Sequence, residues 1–298
     1  MFEFGLGMAD RLVKTDDGRV LSIVEGGDTR GKPVFVLHGT PGSRLLYGPH
    51  VADASKRGIR LISYDRPGYG GSTPLPGRKV ADVTRDVASI ADHLGVERFA
   101  LWGISGGGPH ALACASLLPD RVVAAASLAS PAPYPSPGLD WFSGQGEDNV
   151  AEFGAAMEGP EQLGRFLAPL REELLKADPA SFGKMFETLL PPVDKAVLSG
   201  ELGDFLVTNT KEGIRPGHEG WKEDDLAFVS DWGFKPADVT APLLLWQGRE
   251  DKMVPFTHGR WLAEHIPRAE ARLSQEDGHL TLFQRRVPET HAWLLGHF

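Results

Sequence analysis

Residues 103–107 read Gly-Ile-Ser-Gly-Gly, a G-x-S-x-G pattern that puts a serine on a sharp strand-to-helix turn. The flanking glycines suit that turn, because a Cβ there would meet the neighbouring strand or helix and the serine itself sits in a strained backbone conformation. A serine hydroxyl is a weak nucleophile near neutral pH and needs a base that an acid orients. Two later segments offer both. Gly248-Arg249-Glu250-Asp251 follows an apolar run, and Asp277-Gly278-His279-Leu280 follows the next one. The chain order Ser105, Asp251, His279 is the order expected of this elbow on an α/β sheet. Glu250 is the rival acid, and Asp251 also reads as the cap of a turn before Val254 and Pro255. Acyl transfer builds an oxyanion that needs two fixed donors. The Gly106 amide, directly after the serine, is one. The Thr40 amide in His38-Gly39-Thr40-Pro41-Gly42 is the other. Three competing histidines are assigned lesser roles: His38 braces its turn, His110 points away from Ser105, and His258 serves as a surface or capping residue at a helix start.

Elements must hold these residues, and the chain alternates short β-type runs with helix-type runs, the pattern of an α/β sheet. Arg11–Lys14 and Arg19–Val24 flank Asp16-Asp17-Gly18 as a hairpin. Strands are expected over 33–37, 59–64, 99–102, 122–128, 242–246 and 269–273. Val83, Val87, Ile90 and Leu94 share one face of a helix over 80–94 that Gly95 ends. A small-residue helix follows the elbow, with Pro109 in its first turn and Cys114 buried within it. From 131 to 240 no strand is expected; 161–176 is the clearest helix, with weaker ones over 180–190 and 222–229. Further helices are read over 257–265 and 288–295. An α/β core, 1–130 and 241–298, is thus interrupted by a helical insertion, 131–240.

The 298 residues carry 31 Lys+Arg against 40 Asp+Glu, a formal charge of −9, which argues against binding nucleic acid, where clustered cations are required. One cysteine excludes an internal disulfide and a multi-cysteine zinc site. No metal-ligand spacing and no phosphate-binding G-x-G-x-x-G after the first strand are present, so no cofactor and no metal are implied. The start, Met1 to Arg11, reads as lacking a secretory signal. The longest apolar stretch, Val122–Ala129, is too short to span a bilayer. The expectation is a soluble, cytoplasmic protein.

His38–Gly42, Asp65–Ser72, Gly103–Gly107, Gly248–Asp251 and Gly278-His279, in that order, resemble the α/β-hydrolase fold superfamily over about two thirds of the chain. The resemblance implies an eight-stranded, mostly parallel sheet flanked by helices, with a helical cap at 131–240 inserted after the sixth strand. It implies Ser105 as nucleophile, His279 as base and Asp251 as orienting acid. Haloalkane dehalogenases and epoxide hydrolases place aspartate where this chain has Ser105. Proline iminopeptidases usually carry Asp-Gln-Arg-Gly where this chain has Asp65-Arg66-Pro67-Gly68, which lowers that reading. Cofactor-free perhydrolases and C–C bond hydrolases share the triad.

The expected activity is hydrolysis of a carboxylic ester, lactone or related acyl compound through an acyl-enzyme. The rivals are a small-molecule receptor or signalling partner, and a lyase or cofactor-free oxygenase using His279 as base. The insertion holds 12 of the chain's 26 aromatic residues, among them Trp141, Phe142, Phe153, Phe166, Trp221, Phe228 and Trp232. Most are expected to glue helices together and a few to line an apolar pocket. Residues 131–240 also hold 20 Asp+Glu and 9 Lys+Arg, a net of −11, leaving +2 for the rest. These carboxylates are expected to coat solvated helix faces; any that rim the entrance would favour a neutral or cationic substrate. The expected partner is a small, neutral, partly apolar acyl substrate.

Overall fold

A computed structural model describes residues 9–298; most of the Met1–Arg11 segment read as lacking a leader lies outside them. Eight strands form one sheet: β1 (Ala9–Lys14), β2 (Val20–Gly27), β3 (Lys32–Leu37), β4 (Ile59–Tyr64), β5 (Phe99–Ile104), β6 (Val122–Leu128), β7 (Leu243–Gly248) and β8 (Ala269–Ser274). Their spatial order is β1-β2-β4-β3-β5-β6-β7-β8. β2 runs antiparallel to both β1 and β4, and every pairing from β4 to β8 is parallel. The opening hairpin forms as its Asp-Asp-Gly signal indicates, with Lys14 opposite Val20 and Gly18 at φ 85°.

Parallel strands buried on both faces read as continuous apolar runs. β5 (FALWGI) and β6 (VVAAASL) are accordingly buried at every position. Period-2 alternation then splits each strand between two cores. Phe35, Leu37, Phe99 and Leu101 face one side, against α2 (Val83–His93), α3 (Gly107–Leu117) and α10 (Phe256–His265). Val34, Val36, Ala100 and Trp102 face the other, against α1 (Gly48–Lys56) and α11 (His279–Leu295).

Between β6 and β7 there are only helices: α4 (Glu147–Glu158), α5 (Pro160–Lys176), α6 (Pro179–Met185), α7 (Pro192–Lys195), α8 (Gly200–Ile214), α9 (Glu219–Phe228) and three-residue 3-10 turns. Their own small core gathers Leu163, Leu167, Leu174 and Ile214 around Trp221. Several helices differ from expectation. α1, α4, α7 and α8 are unheralded, because Gly or Pro borders each and masks its periodicity. α11 begins at His279 rather than at Pro288, which sits inside the helix. Among the described residues no helix is long and apolar enough to cross a membrane.

Candidate active site

Chain direction reverses across the sheet at β3 and β5, neighbours from which the chain departs to opposite sides. In an open α/β sheet that switch point leaves a crevice beyond the carboxyl ends of the strands. Ser105 stands there, between β5 and α3, at φ 55°. The left-handed conformation costs a non-glycine residue of order 1–3 kcal/mol and needs a surrounding that enforces it. Here the Ser105 amide donates to the Leu128 carbonyl (2.9 Å) and the Gly108 amide to the Ser105 carbonyl (2.8 Å). Gly103 allows the turn, since a Cβ there would strike the Gly107 carbonyl.

Asp251 leaves the end of β7, and His279 opens α11 after β8. Asp251 Oδ2 and His279 Nδ1 are 2.8 Å apart, with both side chains buried. Asp251 serves both of its sequence readings at once. Its Oδ1 accepts from the amides of Met253 (2.9 Å) and Val254 (2.8 Å), capping the turn, while Oδ2 holds the imidazole. Gln247 Nε2 adds a third donor at 3.2 Å. Glu250, the rival acid, is exposed. Burial pulls the His279 pKa down, but the charges of Asp251 and Asp194 outweigh it and hold the imidazole above its usual value.

Ser105, His279, Thr40 and Gly106 line one cavity of about 200 Å³. The 38–42 loop passes close to Ser105: a Cβ on Gly39 would lie 3.4 Å from Ser105 Cβ. Neither the Thr40 nor the Gly106 amide has an acceptor among the described residues, which leaves both N–H groups free for a ligand oxygen. Trp141, Phe153, Trp221 and Phe228 line the same cavity, whereas Phe166 and Trp232 pack into cores. The division of aromatics between pocket and glue is therefore mixed.

Side chains from the α4–α9 segment pin each of these parts from behind. Asp194 of α7 is fully buried and accepts from the His279 amide (2.7 Å), the Thr281 amide (2.9 Å) and Thr281 Oγ1 (3.1 Å). It thereby satisfies orphan donors in the first turn of α11, the turn that carries His279. Asn209 of α8 accepts from the amide (3.2 Å) and hydroxyl (2.8 Å) of Ser43. Asp224 of α9 accepts from Thr40 Oγ1 (2.7 Å), Tyr69 Oη (2.8 Å), Arg66 Nη2 (2.5 Å) and Arg78 Nη2 (2.6 Å). Arg66 in turn donates to the carbonyls of His38 and Gly39 (3.1 Å for the latter) and to Thr40 Oγ1 (3.0 Å). Burial disfavours the Asp224 carboxylate, yet the two guanidiniums hold its pKa well below the usual range.

Sequence reasoning placed the insertion's carboxylates on solvated faces. Glu147, Glu158, Glu161, Glu172 and Glu173 are exposed, but Asp194, Asp224 and Asp225 are fully buried. One signal was available for α9. Trp221, Asp224, Asp225 and Phe228 have i, i+3, i+4, i+7 spacing, so two aspartates occupy the stripe that faces a core. Asp194 and Asn209 carry no comparable signal.

The other histidines sort by their partners. His38 donates from Nδ1 to the Gly39 carbonyl (2.7 Å), and its Nε2 accepts the Arg66 amide (3.2 Å), the bracing role expected of it. His110 lies against Asp224 at 3.4 Å, away from the cavity lining. His258 is a correction. It is neither surface residue nor cap but fully buried, accepting the Ala132 amide at Nδ1 (3.1 Å) and donating from Nε2 to the Trp141 carbonyl (2.9 Å). Burial pushes its pKa down to about 4, so it is neutral at pH 7. It ties the chain leaving β6 to the core. Cys114 is buried and its thiol pKa is raised by burial, consistent with a packing role. Among the described residues no group of three or more His, Cys, Asp or Glu side chains could hold a metal ion.

The family model for the alpha/beta hydrolase fold matches residues 32–285. An uncharacterised hydrolase of Bacillus subtilis is 26% identical over 288 residues, 95% of this chain and 96% of that protein. A proline iminopeptidase of Neisseria gonorrhoeae is 26% identical over 86% of this chain and 85% of its own. A thermophilic esterase from Thermogutta terrifontis superposes with a TM-score of 0.71 at 20% identity, covering 97% of this chain and all (100%) of that one.

Proposed function

The chain belongs to the alpha/beta hydrolase fold family and is a hydrolase, and on that premise we propose that it cleaves a carboxylic ester, lactone or related acyl compound through Ser105, His279 and Asp251. The observation that carries this reading is the buried 2.8 Å bond between Asp251 and His279 in one cavity with a serine at φ 55°. Ser105 Oγ attacks the acyl carbon while His279 Nε2 takes its proton. Asp251, bonded to Nδ1, keeps the other nitrogen free and stabilises the imidazolium. The carbonyl oxygen becomes an oxyanion between the amides of Thr40 and Gly106, each such donor contributing about 10²–10³ in kcat. Collapse expels the alcohol or other leaving group, which takes the proton back from His279. Water then attacks the acyl-enzyme by the same route, releasing the acid and regenerating Ser105.

A cavity of about 200 Å³ lies below the roughly 300–1,000 Å³ of drug-sized sites, so the reading favours small acyl groups over long lipid chains. Short-chain p-nitrophenyl esters should be hydrolysed, with Ser105 labelled by a fluorophosphonate. Ser105→Ala should lose both. Turnover that survives in that variant refutes the serine mechanism. Product formation without any trappable Ser105 adduct would instead support a lyase or oxygenase, and tight ligand binding without turnover would support a receptor.

A further inference from the structure

Two carboxyl groups in the cavity have no part in the acyl-transfer chemistry. Glu152 comes from α4 and Asp225 from α9, and both line the cavity that holds Ser105 and His279. Glu152 Oε1 accepts from Trp221 Nε1 at 2.7 Å. Asp225 is fully buried, and neither of its oxygens receives a donor from any described residue. Arg78 pairs with Asp224 instead: its Nη2 lies 2.6 Å from Asp224 and donates to the Gly220 carbonyl at 3.0 Å. A buried carboxyl with no donor and no cation costs several kcal/mol if ionised. Burial raises the pKa of both groups, and the neighbouring Glu152 charge raises that of Asp225 further, well above the usual carboxylate range. Two buried carboxyls that interact in one cavity, with no cation beside them, favour sharing one proton.

A group that satisfies both oxygens of Asp225 must bring at least two N–H donors and, to replace the shared proton, one positive charge. A primary or secondary ammonium meets both demands. The surroundings agree, because Trp221, Trp141 and Phe153 line the same space, and aromatic rings attract cations. A metal ion would need more oxygen ligands than this pair supplies.

We propose that Glu152 and Asp225 form an amine-recognition subsite, so that the acyl substrate carries a protonated amino group held at the pair while its carbonyl meets Ser105. On binding, the ammonium N–H groups take the place of the shared proton, which leaves to solvent. The charge that the α4–α9 segment contributes is thus put to use inside the cavity rather than only on its surface. This inference rests on the acyl-transfer reading for its substrate, but the subsite can be tested without turnover.

The first arm is calorimetry at pH 7 on the full chain carrying Ser105→Ala, titrated with n-butylammonium and, separately, n-butanol. The ammonium should bind at least tenfold more tightly than the alcohol, with a heat that changes with the buffer's ionisation enthalpy because a proton is released. Adding Glu152→Gln or Asp225→Asn should abolish that preference. Both substitutions are isosteric, and the glutamine oxygen can still accept from Trp221, so each variant should fold; thermal melts check this. The second arm compares kcat/KM for the methyl esters of alanine and propionic acid, followed by acid release at pH 7. The amino ester should be preferred at least tenfold by the native chain and about equally with propionate by either variant. Equal binding of ammonium and alcohol, or a preference that persists in both variants, overturns the subsite. Ester turnover through Ser105 with no amino preference overturns the subsite alone, whereas turnover surviving Ser105→Ala overturns the serine mechanism and leaves the calorimetry to judge the subsite.

Discussion

Replacing Asp224 with alanine tests whether the α4–α9 segment holds the 38–42 loop in place or merely covers it. The carboxylate is the shared acceptor for Arg66, Arg78, Tyr69 and Thr40. Its side chain is fully buried, and the two guanidiniums are only 1% and 3% exposed. Two effects compete at Asp224. Burial alone would raise its pKa, and the paired guanidiniums lower it; the guanidiniums win, since the net shift is well downward. A carboxylate with a depressed folded pKa contributes stability that is present above the unfolded pKa and lost only as pH falls through the folded value. At pH 7 the whole contribution is therefore in play.

Removing one partner of a buried ion pair costs about 3–5 kcal/mol, because the other partner stays buried and uncompensated. Against a typical total of about 5–15 kcal/mol, that is about a fifth or more of the stability. At roughly 2–4 °C per kcal/mol the midpoint should fall by about 6–20 °C. Thr40 loses its hydroxyl acceptor and Arg66 its anchor at the same time, so the Thr40 amide shifts and fluorophosphonate labelling of Ser105 should slow by about 10²-fold. Urea unfolding followed by circular dichroism gives the first quantity, and the labelling rate well below the midpoint gives the second. Asp231, which pairs with Lys79 on the exposed surface, is the control, and its alanine variant should change neither. A loss under about 1 kcal/mol for Asp224→Ala, with an unchanged labelling rate, would refute the view that buried charge fixes the loop.

Asp194→Asn should move the acid limb of kcat/KM to lower pH, because Asp194 is one of two carboxylates that raise the His279 pKa; a merely structural capping role would lower kcat/KM without shifting the limb. Asp225→Asn should raise the unfolding midpoint at pH 8, by the equivalent of about 0.5–2 kcal/mol as for other relieved functional sites. The sign follows from the raised folded pKa, which removes stability as pH rises above the unfolded carboxylate range, so the gain should be smaller at pH 4. Gly106→Ala should depress turnover sharply, since its Cβ would overlap the Thr40 side chain and sit 3.0 Å from Phe228; overpacking costs about 1–3 kcal/mol, and wild-type turnover in this variant would show that the two donors are not so closely apposed.

Legibility in the sequence followed the range of the interactions. The Ser105 elbow was readable because its needs are local: a strand, a left-handed residue and small neighbours, all within residues 99–108. Asp251 and His279 were readable from their places after apolar runs, and the geometry gives Asp251 both of the roles considered for it. Pro288 misled the reading of α11 because a proline predicts a helix boundary, whereas this helix begins at His279 and runs through it. His258 was misread because position near a helix start says nothing about what packs over it.

The order of apolar runs and the spacing of Gly, Ser, Asp and His determined most of the strands, the elbow and the candidate triad, since backbone conformation and periodicity are set by neighbours in sequence. What tertiary structure alone decided is which carboxylates leave water and whom they meet. Asp194 reaches a residue 85 positions away, and Asp224 one 158 positions away. The free energy of a charged group depends on its burial and its partner, and neither exists until distant segments have packed.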